Sequence, residues 1–215
     1  MKMRPTAKKK SMTAPVKRTR DKEATKQALL AAAIEVFAEL GYDAATTKEI
    51  ARRSGSSEAL IQRYFDGKAG LLVAIISSFA EEADKELMAN RPYPDTLEQE
   101  LKEIIRESCS HHREHSPFVR VAISRAIVDP TVGKQLGANI TGKKIPTMVA
   151  RLTHYQKLGM IPPNLDVTPL AFALSSMTFT FGFMGPEVFG FDRDKMDGIG
   201  AQVATWLAKG IAAKK

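Results

Sequence analysis

Cysteine is nearly missing from this chain of 215 residues, whose single thiol belongs to Cys109. One cysteine excludes an internal disulfide and is typical of proteins in a reducing compartment, so a cytoplasmic location is expected. The sequence also lacks an apolar segment behind its basic N-terminus, which argues against a secretory signal. We expect Cys109 to be a buried structural thiol.

Long hydrophobic runs are scarce as well. The longest stretch without a charged residue covers residues 167–186, and it contains two prolines and two glycines. A buried helix explains this composition better than a membrane span does, although the length would be sufficient to cross a bilayer. We therefore predict no membrane partner.

Acidic residues are absent from residues 1–20, which hold eight Lys and Arg side chains. Residues 21–215 contain 24 basic and 24 acidic residues, so the net charge of +8 belongs entirely to the N-terminal segment. This distribution predicts a disordered basic tail over residues 1–20. It also excludes a strongly cationic folded body.

Sequence signatures of enzymes are missing too. The sequence contains no phosphate-binding loop, no dinucleotide fingerprint and no nucleophile with a supporting base, so we expect neither an enzyme nor a cofactor. Glu107, His111 and His115 recur every four residues along one predicted helix. They are interpreted either as metal ligands or as a solvated helix end, and no metal site is assigned to them.

Helical periodicity is what the sequence does contain. From Leu29 to Leu40 apolar residues recur at intervals of three and four, which is typical of one buried helix face. Gly41 ends this pattern, and Thr46 followed by Glu49 predicts the capped start of a new helix. Because similar periodicity continues towards the C-terminus, we predict an all-α fold.

The strongest local signal lies in residues 46–65. A small residue (Ala51), a turn glycine (Gly55) and an apolar residue (Ile61) have the spacing of a helix-turn-helix unit. Such a unit exposes the start of its second helix, which fits the major groove of DNA.

Residues 24–72 also resemble the DNA-binding domain of TetR-family transcriptional regulators, most closely in residues 31–37, 41–47, 49–51, 55–61 and 64–71. The resemblance implies an all-α homodimer with an N-terminal three-helix helix-turn-helix domain and a C-terminal helical domain for ligand binding and dimerisation. The chain is accordingly divided into a tail (1–20), a DNA-binding domain (21–70) and a C-terminal domain (71–215).

The resemblance further implies which side chains contact DNA. Ten residues occupy the contact positions: Thr46, Thr47, Lys48, Ser57, Glu58, Ala59, Gln62, Arg63, Tyr64 and Lys68. The family usually has an aromatic residue in place of Gln62, whose amide can read adenine instead. The basic tail either adds nonspecific attraction to DNA or is only a solubilising segment.

Adaptable apolar side chains in the C-terminal half predict a cavity for a small hydrophobic effector. Its expected lining is Phe118, Met148, Leu152, Tyr155, Phe172, Met177 and Phe179. The two last helices carry additional apolar and small-residue faces, which are assigned to a dimer interface. The interface residues predicted are Leu174, Phe181, Ala201, Ala204 and Ala208, and intrachain core is the alternative for both sets.

These features together predict a sequence-specific regulator of transcription. We expect a homodimer that binds a double-stranded DNA operator as a repressor and is released by a small hydrophobic effector. The alternative is a DNA-binding regulator or architectural protein that responds to no effector.

Overall fold

The structure, a computed structural model, describes residues 15–84 and 91–212. Within these ranges every regular element is helical, which confirms the predicted all-α class. In chain order the elements are α1 (Pro15–Ala44), α2 (Thr47–Ser54), α3 (Glu58–Phe65), α4 (Lys68–Asp84), α5 (Leu97–Glu114), α6 (Ser116–Val128), α7 (Pro130–Asn139), π1 (Ile140–Lys144), α8 (Ile145–Lys157), α9 (Thr168–Phe179), π2 (Thr180–Val188) and α10 (Arg193–Ile211).

Helix α1 begins at Pro15, within the segment predicted to be a disordered tail, whereas residues 1–14 lie outside the described residues. Gly41 has a non-helical φ of 74°, so α1 is kinked at the residue where the sequence predicted a helix end. Helix α4 crosses the domain boundary predicted at residue 70. That boundary stays a prediction.

Two hydrophobic clusters hold the described helices together. The first joins α1–α4 through residues such as Phe37, Ile61 and Leu72, and it also includes Phe118 from α6. The second joins α5, α8, α9 and α10. Because α6 contributes to the first cluster, the N-terminal helices share their core with part of the C-terminal region.

Two π-helical segments interrupt the C-terminal helices. In π1 the Ile145 N–H bonds to the Ile140 carbonyl, five residues back, which inserts an extra residue into the turn between α7 and α8. In π2 the Phe189 N–H likewise bonds to the Met184 carbonyl, at 3.0 Å. Residues 178–183 alternate in sequence like a strand, yet they are helical as predicted.

Helix α10 packs closely on α5. A Cβ added at Gly200 would lie only 2.8 Å from Ile105 Cγ2, so the helices approach too closely there for a side chain. Ala204 and Ala208 follow on the same face and are buried in the second cluster. Two of the three alanines predicted for dimerisation are therefore packed within one chain.

The remaining predicted interface residues divide between core and surface. Leu174 is fully buried in the second cluster, and Phe181 packs against that cluster, whereas Ala201 is exposed.

Cys109 is buried as predicted, with its Sγ 3.6 Å from the Thr178 carbonyl oxygen. Burial raises the pKa of this thiol to about 11. Across residues 15–84 and 91–212, no helix combines the length and apolarity needed to span a membrane.

Candidate DNA-binding surface and ligand cavity

Helices α2 and α3 form the predicted helix-turn-helix unit. Thr46 Oγ1 accepts a hydrogen bond from the Glu49 N–H at 3.2 Å, so the predicted cap of α2 is present. The carboxylate of Glu49 binds Arg52 and Arg53, whose hydrogen bonds lower its pKa to about 2. Gly55 ends α2 in the left-handed conformation, with φ 66°.

The N-terminal half of α3 faces solvent. The exposed side chains are Ser57, Glu58, Ala59, Gln62 and Arg63, all of them predicted DNA contacts. The Thr47 hydroxyl donates to Glu58 Oε2 at 2.6 Å, which ties the start of α2 to the start of α3. Gln62 Nε2 donates to Asp66 Oδ1 at 2.8 Å, so this amide has an acceptor even without DNA.

Two cations on this surface are available to an anion. Lys48 is exposed, as is Arg63, and neither has a described carboxylate within ion-pair distance. Arg53, in contrast, is held 2.7 Å from Glu39 as well as 2.8 Å from Glu49. Neither Lys48 nor Arg63 is therefore committed to an ion pair within the described part of the chain.

Lys68, a predicted DNA contact, has hydrogen-bond partners within the chain. Its Nζ donates to the carbonyls of Tyr42, Asp43 and Ala45, at 2.8, 3.2 and 2.9 Å. These three bonds occupy the three donors of the ammonium group and link α4 to the end of α1. Lys68 therefore positions the helix-turn-helix unit.

Tyr64 lies half-buried near the C-terminal end of α3. The ammonium of Lys22, on α1, lies 5.5 Å from the centre of its ring. Lys22 was missed by the sequence prediction, because its distance of 42 positions from Tyr64 hides their proximity. Lys22 thus brings positive charge from α1 to the C-terminal end of α3.

Tyr42 lies at the joint between the N-terminal helices and α6. Its ring centre is 4.5 Å from Lys68 Nζ and 4.7 Å from the guanidinium of Arg125. A groove of about 520 Å³ with a mixed polar lining lies beside this joint. A second cavity has a more apolar wall than this groove, so it suits a hydrophobic ligand better.

This second cavity, of about 260 Å³, lies between α4, α5, α6, α7, π1 and α9. Its apolar wall consists of Ile76, Phe79, Phe118, Val119, Ala122, Ile123, Leu136, Ile140, Phe172 and Phe179. Three of the seven predicted ligand contacts, Phe118, Phe172 and Phe179, are therefore part of its lining. Phe172 is 45% exposed, which opens the cavity to solvent on that side.

The other four predicted ligand contacts lie elsewhere. Met148, Leu152 and Tyr155 are fully buried in the second hydrophobic cluster, and Met177 packs against it. They do point inwards, as their periodicity indicated, but they meet neighbouring side chains instead of the cavity. Tyr155 moreover donates its hydroxyl hydrogen to the Pro94 carbonyl at 2.7 Å.

Polar side chains also line the cavity: Ser108, His111, His112, Asn139, Lys144, Ser175 and Ser176. Burial, with the nearby charges of His115 and Lys144, lowers the pKa of His111 to about 4. Burial also lowers the pKa of His112 well below its usual value, and that of Lys144 to about 8. Both imidazoles are therefore neutral at pH 7, whereas Lys144 remains largely protonated.

The histidine cluster does not form a metal centre with Glu107. Glu107 Oε2 lies 3.4 Å from Arg91 Nε, while the ring of His111 lies against Phe79 with 4.5 Å between ring centres. His115 Nδ1 is 3.0 Å from the His111 carbonyl oxygen. In the described part of the chain, no group of three or more potential ligands could hold a metal ion.

Several lining residues were missed by the sequence prediction, among them His112, Asn139 and Lys144. One signal was available: Ser108, His111 and His112 lie on the inward face of α5, where continued periodicity would place apolar residues. Lys144 follows Leu136 and Ile140 at intervals of four residues, and all three line the cavity.

Comparison with known protein families finds a match to the N-terminal helices. Residues 29–75 match the family model described as "Bacterial regulatory proteins, tetR family". The chain is also 25% identical over 117 residues to "Probable HTH-type transcriptional regulator YttP" of Bacillus subtilis, covering 54% of this chain and 56% of that protein. It thus spans about half the length of this curated relative, and less of two further B. subtilis regulators (28% and 36%).

Solved structures with the same fold cover nearly the whole chain. GusR of Salmonella enterica superposes with a TM-score of 0.71 at 22% identity, over 92% of this chain and 98% of that one. FadR of B. subtilis, in complex with stearoyl-CoA, superposes with a TM-score of 0.65 at 19% identity, over 86% and 98%. At these identities the similarity establishes the fold alone.

Proposed function

We propose that the chain is a member of the TetR family of bacterial regulatory proteins, whose model matches residues 29–75, and that it is a sequence-specific DNA-binding repressor of transcription, released from its operator by a small molecule. The observation that carries this proposal is the solvent-exposed start of α3 in a well-formed helix-turn-helix unit. The family consists of regulators and not of enzymes. Binding to DNA would place its site of action in the bacterial cytoplasm.

The DNA contacts are divided by chemistry. Thr46, Thr47 and Lys48, at the N-terminus of α2, are suited to phosphate because hydroxyls, free backbone amides and a cation converge there. Ser57, Glu58, Ala59, Gln62 and Arg63 would face base edges in the major groove, with Tyr64 at the backbone. A carboxylate such as that of Glu58 accepts from cytosine, and an arginine such as Arg63 pairs with guanine.

A homodimer would present two such units to two half-sites. The structure supports a different face for this dimer from the small-residue face of α10, which is occupied by α5. Trp206 and Ile199 lie seven residues apart on α10 and are 63% and 38% exposed. We propose this apolar strip as the dimer contact, because exposed aromatic residues are enriched at such interfaces.

Helix α4 would couple the cavity to DNA. Its first residue, Lys68, binds three carbonyls next to the helix-turn-helix unit, and its Ile76 and Phe79 belong to the cavity wall. Phe118 and Ala122 line the cavity while belonging to the same hydrophobic cluster as the DNA-binding helices. A ligand that displaces this wall would therefore shift α4 and the spacing of the two recognition helices.

The complex of B. subtilis FadR with stearoyl-CoA is consistent with this proposal, since a protein of the same fold binds a small molecule with an apolar chain. The effector of the present chain would be smaller. A cavity of about 260 Å³ lies below the range of roughly 300–1,000 Å³ usual for drug-sized ligands.

The proposal is tested by selecting fragments of the source genome that the full-length protein binds, followed by anisotropy titrations on the enriched sequence. Arg63→Ala should weaken binding by about tenfold or more, because one bidentate base contact contributes roughly 1–3 kcal/mol. Arg106→Ala is the matched control, since Arg106 is an exposed arginine on α5, remote from the helix-turn-helix unit. Failure to enrich any sequence, or equal affinity of the two variants, would contradict the proposal.

A further inference from the structure

The cavity contains buried polar atoms that have no partner. Ser108, His111, His112 and Asn139 are between 2% and 9% exposed. Ser108 Oγ, His111 Nε2, both ring nitrogens of His112 and Asn139 Nδ2 make no hydrogen bond within the described part of the chain. An unpaired buried polar group costs free energy, so such a concentration indicates a site that a polar group of a ligand completes.

The charge of this site has one sign. Among the described residues that line the cavity, Lys144 is the only one with a formal charge, and none of them is Asp or Glu. Its Nζ lies 3.5 Å from Thr178 Oγ1, and no described carboxylate is within ion-pair distance. The adjacent Lys143, in contrast, pairs with Glu81 at 2.7 Å. The cavity therefore has a cation whose counter-ion is missing.

The neighbours of Lys144 are suited to an anion as well. Asn139 Nδ2 is a donor, the Ser108 hydroxyl can donate, and each neutral imidazole offers one N–H. A carboxylate accepts up to about four hydrogen bonds and would use such donors together with an ammonium group. The apolar part of the lining offers Phe79, Phe118 and Phe179, which suit a hydrocarbon chain or a single ring.

We propose that this cavity binds a small apolar carboxylate, with its anionic head group at Lys144 and Asn139 and its hydrocarbon body against the phenylalanine wall. This inference rests on the proposed effector role of the cavity and adds the chemical class of the ligand. The volume of about 260 Å³ restricts the ligand to a short chain or a single ring.

The experiment compares three probes with the same eight-carbon chain: octanoate, 1-octanol and octylammonium. Each is titrated by calorimetry into the full-length protein in the absence of DNA. Octanoate should bind about tenfold or more tightly than octanol, because a hydrogen bond to a charged group contributes about one order of magnitude in affinity or more. Octylammonium should bind more weakly than octanol, since its charge repels that of Lys144.

Three variants identify the residue responsible. Lys144→Met should abolish the preference of octanoate over octanol, whereas Lys144→Arg, which retains the cation, should preserve much of it. Lys143→Met is the matched control, and it should retain the preference because Lys143 does not line the cavity. The thermal unfolding transition of each variant verifies that it is folded. If Lys144→Met does not fold, the preference of Lys144→Arg for octanoate over octanol provides the test.

Equal affinities of octanoate and octanol, no binding of octanoate at millimolar concentration, or a preference that survives Lys144→Met would overturn the inference. These outcomes are distinct from failure of the proposed function, since the titrations contain no DNA. A protein that binds its operator normally but shows no preference for octanoate would contradict only the ligand class. A protein that prefers octanoate but selects no DNA sequence would contradict only the regulatory function.

Discussion

Helix α5 carries two groups of buried polar side chains that differ in one respect. Near its N-terminus Glu100 is fully buried, and it accepts hydrogen bonds from Arg151 and Arg91 at 2.9 Å each. Arg151 also donates to the Arg91 and Pro92 carbonyls, at 2.9 and 3.1 Å. Towards the C-terminus of the same helix, Ser108, His111 and His112 have buried polar atoms without any described partner.

The two ends of α5 differ in whether their buried polar side chains have partners within the chain. The network around Glu100 attaches residues 91–94 to α5 and α8, and its charges are compensated by contacts within the chain. The cavity group is uncompensated, and each unpaired atom costs about 1–3 kcal/mol. A set of unpaired groups next to an unpaired cation is typical of a binding site, whereas a compensated network is typical of structure.

Breaking the compensated network should have the largest effect. Arg151→Met leaves Glu100 buried with fewer partners, so the free energy of unfolding should fall by about 3–5 kcal/mol. Lys102→Met, which removes an exposed ion pair with Glu98, should cost less than about 1 kcal/mol. Urea unfolding monitored by circular dichroism measures both, and equal losses would contradict the distinction drawn for Glu100.

The histidines of the cavity should make the protein sensitive to acid. His111 has a pKa of about 4 in the folded state against 6.5 for the free side chain, and that of His112 is lowered too. The unfolded chain therefore binds protons first as the pH falls from 6.5 to 4, and stability present above pH 6.5 is lost over this window.

The double variant H111L/H112L should lack this component. Relative to the variant, the wild-type protein should lose about 3 kcal/mol between pH 7 and pH 4 through His111 alone, and more through His112. His115, Glu114 and Lys144 also face His111 and are present in both proteins, so the comparison isolates the two replaced imidazoles. Parallel pH profiles of the two proteins would show that these imidazoles are not desolvated.

Removal of a single unpaired hydroxyl should stabilise the protein. Ser108→Ala deletes a buried, unpaired oxygen, and the free energy of unfolding should rise by about 1 kcal/mol relative to Ser110→Ala. Ser110 is the matched control because it lies on the same helix and its hydroxyl donates to Glu114 at 2.8 Å. The comparison cancels the general preference of helices for alanine. A loss of stability specific to Ser108→Ala would indicate a structural role for the hydroxyl.

Much of the N-terminal region could be predicted from the sequence because its signals are local. The cap at Thr46, the turn at Gly55 and the apolar position Ile61 each depend on a few neighbouring residues, and all three are present. Lys68 could not be assigned in this way. Its three carbonyl partners lie 23 to 26 residues away, and only the folded chain brings them together.

The cavity was predicted only in part, for a physical reason. Periodicity shows that Phe118, Phe179, Leu152 and Tyr155 all point inwards, but it does not show which inward side chains meet a void and which meet other side chains. That depends on how α5, α8 and α9 pack. Lys144, the last residue of π1, also lines the cavity, and the sequence prediction did not assign it a role.

The central claim, that the cavity keeps unpaired polar groups for a ligand at the expense of stability, is tested most directly by the free energy of unfolding of Lys144→Met without ligand. We predict that this variant is more stable than the wild-type protein by about 0.5–1 kcal/mol at pH 7. Because the pKa of Lys144 is lowered to about 8, the wild-type protein gains stability between pH 8 and 10.5, so the advantage of the variant should shrink there. A Lys144→Met protein less stable than both the wild type and Lys143→Met would contradict the claim.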